Sequence, residues 1–471
     1  MLRLFIKNIS IYGILPIVGK FLNFLLVPIY AKTFPPELYG VIDLFDALVF
    51  FLLIVASLEI PTAMGRYFYS EDTIDHRRRI INTSLFLTLI FTVATILLVW
   101  IFKIPLLERY LAGTEHENML TVSLIWLFTL TVNTFLSFIP RYDNRPKVYV
   151  LVGIISILIK LISSILFVVV LKTGLMGVLY GYICGNVASI VMYVWVSKRY
   201  FRFQFSTKYA GKMLIYAFPL LLGSVLVELW KPWLRHMITL YFPIAVVGFY
   251  AFAIRLTSVN MIVHGAFKTA WKPLLFEKKD DFIKGTSMKR ISGLVAMASI
   301  LMGCMIACFG KEATLIVGSE DYLPSVQLIG LLAIAGFLQM MSELRGFGPY
   351  IADKTFIVTI ANVVAVAAAS GFLLAVKDSA GLFGIGYACI VYDLICYLIL
   401  VIYTRLKYRI VLHNLWEIPL VAILCGCVFI SANAMQLRYR LLAASIAILY
   451  TLFLFFRHYY KLNIRFRNTD L

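Results

Sequence analysis

Residues 77–102 read RRRIINTSLFLTLIFTVATILLVWIF, which is three arginines followed by a stretch, 80–102, without any charged side chain. A membrane-spanning helix needs about 20 predominantly apolar residues, so this stretch is long enough to cross a bilayer. Arginines of this kind collect at the cytoplasmic ends of spans. The same alternation of apolar stretches and basic connections recurs along the chain and predicts an all-α polytopic membrane protein.

The composition of the whole chain supports this prediction. Of its 471 residues, 62% are hydrophobic and only 14% are charged, whereas soluble proteins keep about a quarter of their residues charged. The formal charge of +19 would indicate nucleic acid in a soluble protein. Here it reflects basic connections between spans, so we expect no nucleic-acid partner. The seven cysteines lie in apolar stretches and are interpreted as small buried residues rather than metal ligands.

We predict fourteen spans, with boundaries that are least regular where Pro219, Pro232 and Pro243 interrupt the pattern. Their ranges are 9–31, 40–63, 80–102, 119–140, 148–171, 175–197, 212–230, 243–267, 289–310, 323–344, 355–376, 381–404, 414–433 and 440–456. Lysines and arginines concentrate in the inner connections if the N-terminus is inside, which predicts a bacterial inner-membrane protein with both termini in the cytoplasm. No connection is long enough for a soluble domain, which argues against a membrane glycan polymerase or ligase.

An internal repeat suggests how the spans are grouped. Residues 11–16 (IYGILP) resemble residues 215–219 (IYAFP), and Tyr39-Gly40 has a counterpart in the VGFY stretch at 247–250. The two copies of the motif are separated by close to half the chain, which predicts two parallel six-helix lobes with substrate bound between them. The predicted divisions are 1–205, 206–410 and a final helix pair with its tail, 411–471. One chain then supplies both lobes, so we expect a monomer.

Cations inside the predicted spans are candidates for substrate binding, because an ionisable group in a bilayer is costly to keep. Lys20 and Asn23 share a face of the first span, Lys160 lies within the fifth and Arg255 within the eighth. Arg66 ends the second span, where an ordinary anchoring role is an equal alternative. Cations outnumber acids in these spans, which favours an anionic substrate.

Two acids are candidates for coupling to an ion gradient. Glu59 is predicted to lie deep in the second span on the face of Arg66, either as an acid facing a cavity or as a partner for Lys20. Asp393 in the twelfth span has no acid or base beside it in sequence. Asp43 and Asp46, near the start of the second span, are interpreted either as functional acids or as complements to the helix dipole.

Several short motifs resemble one family of transporters. They are residues 7–8 (KN), 23–25 (NFL), 28–31 (PIYA), 39–40 (YG), 66–68 (RYF) and 247–252 (VGFYAF). This pattern is similar to that of the Wzx-type polysaccharide repeat-unit flippases in the multidrug/oligosaccharidyl-lipid/polysaccharide (MOP) exporter superfamily. One departure is the LRH sequence at 234–236, where these proteins often have an Asp-Arg pair.

The resemblance implies two six-helix lobes in a V-shaped arrangement, two further C-terminal helices, and transfer of undecaprenyl-diphosphate-linked oligosaccharide from the cytoplasmic to the outer leaflet. Arg255, Lys20, Lys160 and Arg66 are then hypothesised to hold the diphosphate, and Glu59 or Asp393 to couple H⁺ or Na⁺. No nucleotide-binding loop is present, and no cofactor or enzymatic activity is expected. A lipid II flippase and a cation-coupled multidrug antiporter remain alternatives.

Overall fold

The computed structural model describes the backbone of residues 15, 18–19, 21–111, 113, 116–202, 204–277, 286–352, 354–409, 417–432 and 436–457. Side chains are described over the same ranges, except in 261–291 and at 432. Within these ranges every regular element is a helix. The chain divides into two compact units, 1–248 and 249–471. This division follows local packing, whereas the lobes 1–205 and 206–410 were inferred from the repeat and stay a prediction.

The first unit contains ten helices and the beginning of an eleventh in the described residues. They are α1 (Leu26–Thr33), α2 (Pro36–Ser57), α3 (Ile60–Phe68), α4 (Ile74–Ile101), α5 (Lys103–Arg109), α6 (Glu117–Tyr142), α7 (Pro146–Ile165), α8 (Leu175–Val196), α9 (Thr207–Glu228), α10 (Trp230–Tyr241) and α11 (Ile244–Glu277). A short π-helical stretch, Leu166–Val170, extends α7.

The second unit contains the rest of α11 and seven further helices among its described residues. They are α12 (Thr286–Val317), α13 (Val326–Arg345), α14 (Gly348–Ile351), α15 (Phe356–Ala380), α16 (Leu382–Tyr408), α17 (Glu417–Ala432) and α18 (Leu437–Phe455). Their core is formed by aliphatic side chains and small ones, including Cys304, Cys308 and Cys427. The expectation that cysteines pack as small buried residues is confirmed for these three, whereas Cys425 is exposed.

Eleven helices of the described chain are long and apolar enough to cross a membrane, and each coincides with one predicted span. Three shorter apolar helices, Phe21–Thr33, Ile244–Asn260 and Glu417–Ser431, coincide with the first, eighth and thirteenth predictions. The multi-pass helical architecture is therefore confirmed, and the count of fourteen stays a prediction.

The second predicted span, 40–63, is wrong as a continuous helix. Leu58 and Glu59 both adopt left-handed backbone conformations, with φ of 47° and 53°, and separate α2 from α3. Each such non-glycine residue stores about 1–3 kcal/mol of strain. Pro61, in the first turn of α3, suits a helix start because its missing N–H needs no partner there. The shared face predicted for Glu59 and Arg66 therefore does not exist.

Two glycines of the internal repeat meet where α2 packs against the start of α11. A Cβ atom added to Gly248 would lie 1.9 Å from the carbonyl oxygen of Pro36, and one added to Gly40 would lie 2.7 Å from that of Ile244. Only glycine permits this close approach of the two backbones. The motif at both positions of the repeat thus has a packing role.

A buried ion pair fastens α10 to α2 in the first unit. The Arg235 guanidinium donates to both carboxylate oxygens of Asp43, over 2.6 and 3.3 Å, and both residues are less than a tenth exposed. Asp43 is therefore not a dipole-complementing surface acid, which corrects one of its two interpretations. The acid that the LRH sequence lacks beside Arg235 is supplied by a different helix.

Candidate functional site

Two residues predicted to bind substrate, Lys160 and Asn23, come together in the first unit. The Lys160 ammonium donates to the amide oxygen of Asn23 over 3.0 Å and lies 3.9 Å from the centroid of the Tyr182 ring. Asn23 also donates to the Gly19 carbonyl. These two contacts orient the ammonium. We call Lys160, Asn23 and Tyr182 the Lys160 centre.

Small residues on α8 bring Lys160 into position. Gly177, Gly181 and Gly185 follow one another at intervals of four and share a face of α8, as in closely packed membrane helices. A Cβ atom at Gly185 would lie 2.8 Å from the Cβ of Lys160. The adjacent Ser156 hydroxyl donates to the Gly185 carbonyl over 2.8 Å. The α7–α8 contact therefore fixes the backbone from which Lys160 projects.

A polar network lies on α6 and α8, close in sequence to Tyr182 and Gly185. Asn186 donates to the Thr129 hydroxyl, Asn133 donates to the side-chain amide oxygen of Asn186, and both distances are 3.3 Å. Ser189 donates to Asn133 over 2.7 Å. Trp126 of α6 packs against Tyr182 with the ring centroids 4.8 Å apart. Amides, hydroxyls and aromatic faces are groups that bind sugars, and they occur here beside a cation.

This network was not predicted from the sequence, because its members are neutral. Asn133 and Asn186 fall in different predicted spans, and one sequence does not show that α6 and α8 pack together. The signal that was available is the glycine spacing at 177, 181 and 185, which marks a helix–helix contact face.

The remaining predicted cations do not join the Lys160 centre by any described contact. Arg66 is exposed, with its guanidinium 4.6 Å from the Tyr216 ring centroid. Arg255 is half-buried in the second unit, and Ser258, predicted as its neighbour, donates to the Arg255 backbone carbonyl over 2.6 Å. Lys20 lies outside the described residues. Substrate binding by Arg255, Lys20 and Arg66 stays a prediction.

The two candidate coupling acids have different surroundings. Glu59 sits at the break between α2 and α3 and accepts hydrogen bonds from Ser224 of α9 and Thr62 of α3, each over 2.7 Å. Asp393 is half-buried within α16, and nothing in the described part of the chain hydrogen-bonds or ion-pairs with its carboxyl group. Glu59 thus lies at a helix break and Asp393 within a helix, and the coupling role of both stays a prediction. Among the described residues, no group of three His, Cys, Asp or Glu side chains is arranged to hold a metal.

The fold is that of known membrane transporters. The lipid II flippase MurJ in an inward closed conformation matches with a TM-score of 0.72 and 14% identity, over 96% of this chain and 99% of MurJ. An inward-facing multidrug resistance MATE family transporter of the MOP superfamily matches with a TM-score of 0.70 and 13% identity, over 83% and 94% of the two chains. A MATE protein in the straight conformation gives a TM-score of 0.58 at 16% identity, over 86% and 96%.

At the level of sequence, the comparison with curated proteins finds no significant match. Residues 5–279, more than half of the chain, match the family described as polysaccharide biosynthesis protein. The resemblance read from the short sequence motifs is thereby confirmed at the level of the family. The chain belongs to the polysaccharide biosynthesis protein family and has the fold of the MOP superfamily transporters.

Proposed function

We propose that this protein is a flippase that moves undecaprenyl-diphosphate-linked oligosaccharide from the cytoplasmic to the outer leaflet of a bacterial inner membrane. The Lys160 centre is the observation that carries the proposal. A lysine inside a membrane-spanning helix is costly to keep and is therefore a candidate for function. Here an amide oxygen and a ring face hold its ammonium in one position. Family membership in polysaccharide biosynthesis supports a glycan-bearing substrate.

The chemistry of the centre suits a diphosphate joined to sugar. A lysine ammonium binds phosphate as a point charge, and in a low-dielectric environment that attraction is stronger than in water. The neighbouring Asn23 amide is exposed and offers hydrogen bonds to sugar hydroxyls, whereas the Tyr182 ring and Asn186 are buried and hold the centre in place. The polyprenyl tail needs no site of its own because it can stay in the bilayer while the headgroup crosses.

We propose that Glu59 links transport to an ion gradient. As a carboxylate it accepts from Ser224 and Thr62 and so joins the α2–α3 break to α9. Protonation removes one acceptor site from the carboxyl group, which weakens this connection at the strained residues Leu58 and Glu59. A helix break is a position at which bending is easy, so proton binding here favours a change of helix direction.

Asp393 is the second candidate for coupling. A carboxyl group that has no partner among the described residues and lies inside an apolar helix is a candidate for binding a proton or Na⁺. We assign it to the same cycle as Glu59, with the proton and Na⁺ as alternatives for the coupling ion.

The direct experiment is a leaflet-resolved analysis of lipid-linked glycans in a strain that lacks the gene. The proposal predicts undecaprenyl-diphosphate oligosaccharide accumulating in the cytoplasmic leaflet and loss of a surface polymer, with viable cells. Lysis with accumulated lipid II would instead indicate the peptidoglycan flippase. Unchanged glycan lipids would reject both lipid-linked substrates and favour a small-molecule antiporter, whose mark is drug resistance on overexpression.

A further inference from the structure

A small cavity opens beside α4, away from the residues of the Lys160 centre. It is lined by Asn82, Leu85, Phe86, Leu89, Gln204 and Phe205 and encloses about 240 Å³. This volume is below the roughly 300–1,000 Å³ of sites that hold whole drug-sized molecules. The cavity therefore suits part of a ligand, such as a segment of hydrocarbon chain, and not an oligosaccharide.

The walls of the cavity are held together by hydrogen bonds between α4 and the segment that follows α8. Asn82 donates to the Tyr200 carbonyl over 2.8 Å, and the Ser206 amide donates to the Thr83 hydroxyl over 3.1 Å. Arg78 also donates to the Arg199 carbonyl over 2.9 Å. These bonds lie on either side of Gln204 and Phe205 in sequence, so the cavity is preformed.

The chemical groups along the cavity change in one order with depth. Asn82, Phe86 and Leu89 of the lining share one face of α4 at helical spacing, and Leu89 lies about 10 Å further along the axis than Asn82. Arg78 lies on the same face one turn before Asn82, outside the lining, and pairs with Asp75 over 2.9 Å. The order is charged, polar and then apolar, starting from the end of α4 that is predicted to be cytoplasmic. A phospholipid of the inner leaflet presents phosphate, glycerol and acyl chain in this same order.

Two further observations indicate a headgroup at the shallow end. Arg79 and Arg202 are exposed there, and neither forms an ion pair with any described residue. The side-chain oxygen of Gln204 is buried and accepts no hydrogen bond from the described residues, which is unfavourable unless a donor is supplied. A hydroxyl-bearing headgroup provides such a donor, and its phosphate complements the two guanidinium groups.

We propose that this cavity binds an anionic phospholipid of the inner leaflet. One acyl chain lies between Phe86, Leu89 and Phe205, the phosphate contacts Arg79 and Arg202, and a headgroup hydroxyl donates to the Gln204 oxygen. Basic pockets at the cytoplasmic ends of membrane helices bind anionic lipid headgroups on the same physical basis. The site is independent of the proposed transport substrate, because no residue of the Lys160 centre lines it.

The test is photocrosslinking of the purified full-length protein in proteoliposomes that contain a trace of phosphatidylglycerol with a diazirine in one acyl chain. The crosslinked peptides are then mapped by mass spectrometry. We expect labelling of residues 82–89 and 204–205. Unlabelled phosphatidylglycerol should suppress this labelling at a concentration at least about tenfold lower than phosphatidylcholine, since each basic side chain near the surface favours anionic lipid by about a factor of five.

Two variants and their controls distinguish a specific lipid-binding site from non-specific lipid contact. Leu89→Trp fills the deep end and should abolish labelling, whereas Leu97→Trp, an exposed position on the same helix outside the cavity, should leave it unchanged. Arg79→Gln combined with Arg202→Gln should reduce labelling about tenfold or more, and Lys172→Gln should not.

Equal competition by the two phospholipids, together with labelling that survives Leu89→Trp, would overturn the proposal and identify ordinary annular lipid. Suppression by undecaprenyl phosphate at concentrations where phosphatidylglycerol has no effect would also overturn it, by identifying a prenyl chain as the occupant. Neither result depends on whether the protein flips a lipid-linked glycan, so the two proposals fail separately.

Discussion

A cation in each unit is held by groups of different chemistry. In the second unit, the Arg345 guanidinium donates to both oxygens of Glu417 over 2.7 and 2.8 Å, and both residues are less than a tenth exposed. In the first unit, Lys160 is half-buried and contacts the oxygen of an amide and the face of a ring. The first arrangement joins the cation to an acid by two hydrogen bonds, and the second orients the cation with an amide oxygen and a ring face.

The difference separates residues that hold helices together from residues that can bind substrate. Arg345 and Glu417 join the end of α13 to the start of α17, and Arg440 of α18 pairs with Glu312 of α12 over 2.7 Å. These two pairs connect the last two helices to the rest of the second unit. Asp43 and Arg235 do the same for α2 and α10 in the first. The contacts of Lys160 with Asn23 and Tyr182 orient its ammonium, and we expect its loss to affect transport more than stability.

The largest expected effect follows removal of one half of a closed pair. Glu417→Ala leaves the Arg345 guanidinium buried without its carboxylate, which should lower the free energy of unfolding by about 3–5 kcal/mol. The measurement is denaturant unfolding in detergent micelles. The matched control is the double variant Arg345→Met with Glu417→Leu, which should recover most of the loss because no isolated charge remains. A single variant as stable as the wild type would contradict the structural role of the pair.

The Lys160 centre should respond in the opposite sense. Lys160→Gln removes one charge-assisted contact to phosphate, worth about 1.5–3 kcal/mol, and should slow flipping by about tenfold or more. Its unfolding free energy should stay within about 1 kcal/mol of the wild type. Lys160→Arg, which keeps the charge, should retain more activity than Lys160→Gln. A large loss of unfolding free energy in Lys160→Gln, with unchanged flipping per folded molecule, would show that Lys160 holds helices together and does not bind substrate.

Glu59 tests whether the break between α2 and α3 carries the coupling. Glu59→Gln keeps the acceptor for Ser224 but cannot bind a proton, so transport should lose its response to an imposed pH gradient and fall several-fold. Ser224→Ala removes the hydrogen bond and leaves the titrating group, and should keep the response. Flipping in proteoliposomes, with pH and Na⁺ gradients imposed separately, distinguishes the two variants. A full response to the pH gradient in Glu59→Gln would show that Glu59 does not couple transport to protons, and Asp393 would then be the remaining candidate.

The smallest effect concerns His236 on α10, which is not one of the candidate spans. Burial lowers the pKa of His236 below its ordinary value of 6.5. As the pH falls below about 6.5, the unfolded chain takes up a proton that the folded protein does not, so unfolding becomes easier. The loss should be complete once the pH passes the lowered pKa. Unfolding midpoints at pH 7.5 and 5.5 should differ less in His236→Gln than in the wild type, and an equal difference would contradict this assignment.

Hydrophobic pattern and charge were sufficient to predict the spans, because each depends only on residues near one another in sequence. The break at Leu58 and Glu59 was missed because neither residue is glycine, although Pro61 marked a possible helix start. The Asp43–Arg235 pair joins positions 192 residues apart, and one sequence contains no information on such a contact. Lys160 and Asn23 were selected individually from their polarity, but their contact across 137 residues required the packing of the helices.

The most direct test of the account is flipping of a fluorescent polyprenyl-diphosphate oligosaccharide in proteoliposomes containing equal amounts of folded protein. Wild type, Lys160→Gln and Lys172→Gln are compared, the last being an exposed lysine in the loop after α7. We expect flipping by the wild type and by Lys172→Gln, and a flipping rate reduced by at least about tenfold in Lys160→Gln. Equal rates in all three would show that the Lys160 centre does not bind the diphosphate, and no flipping by the folded wild type would contradict the proposed function itself.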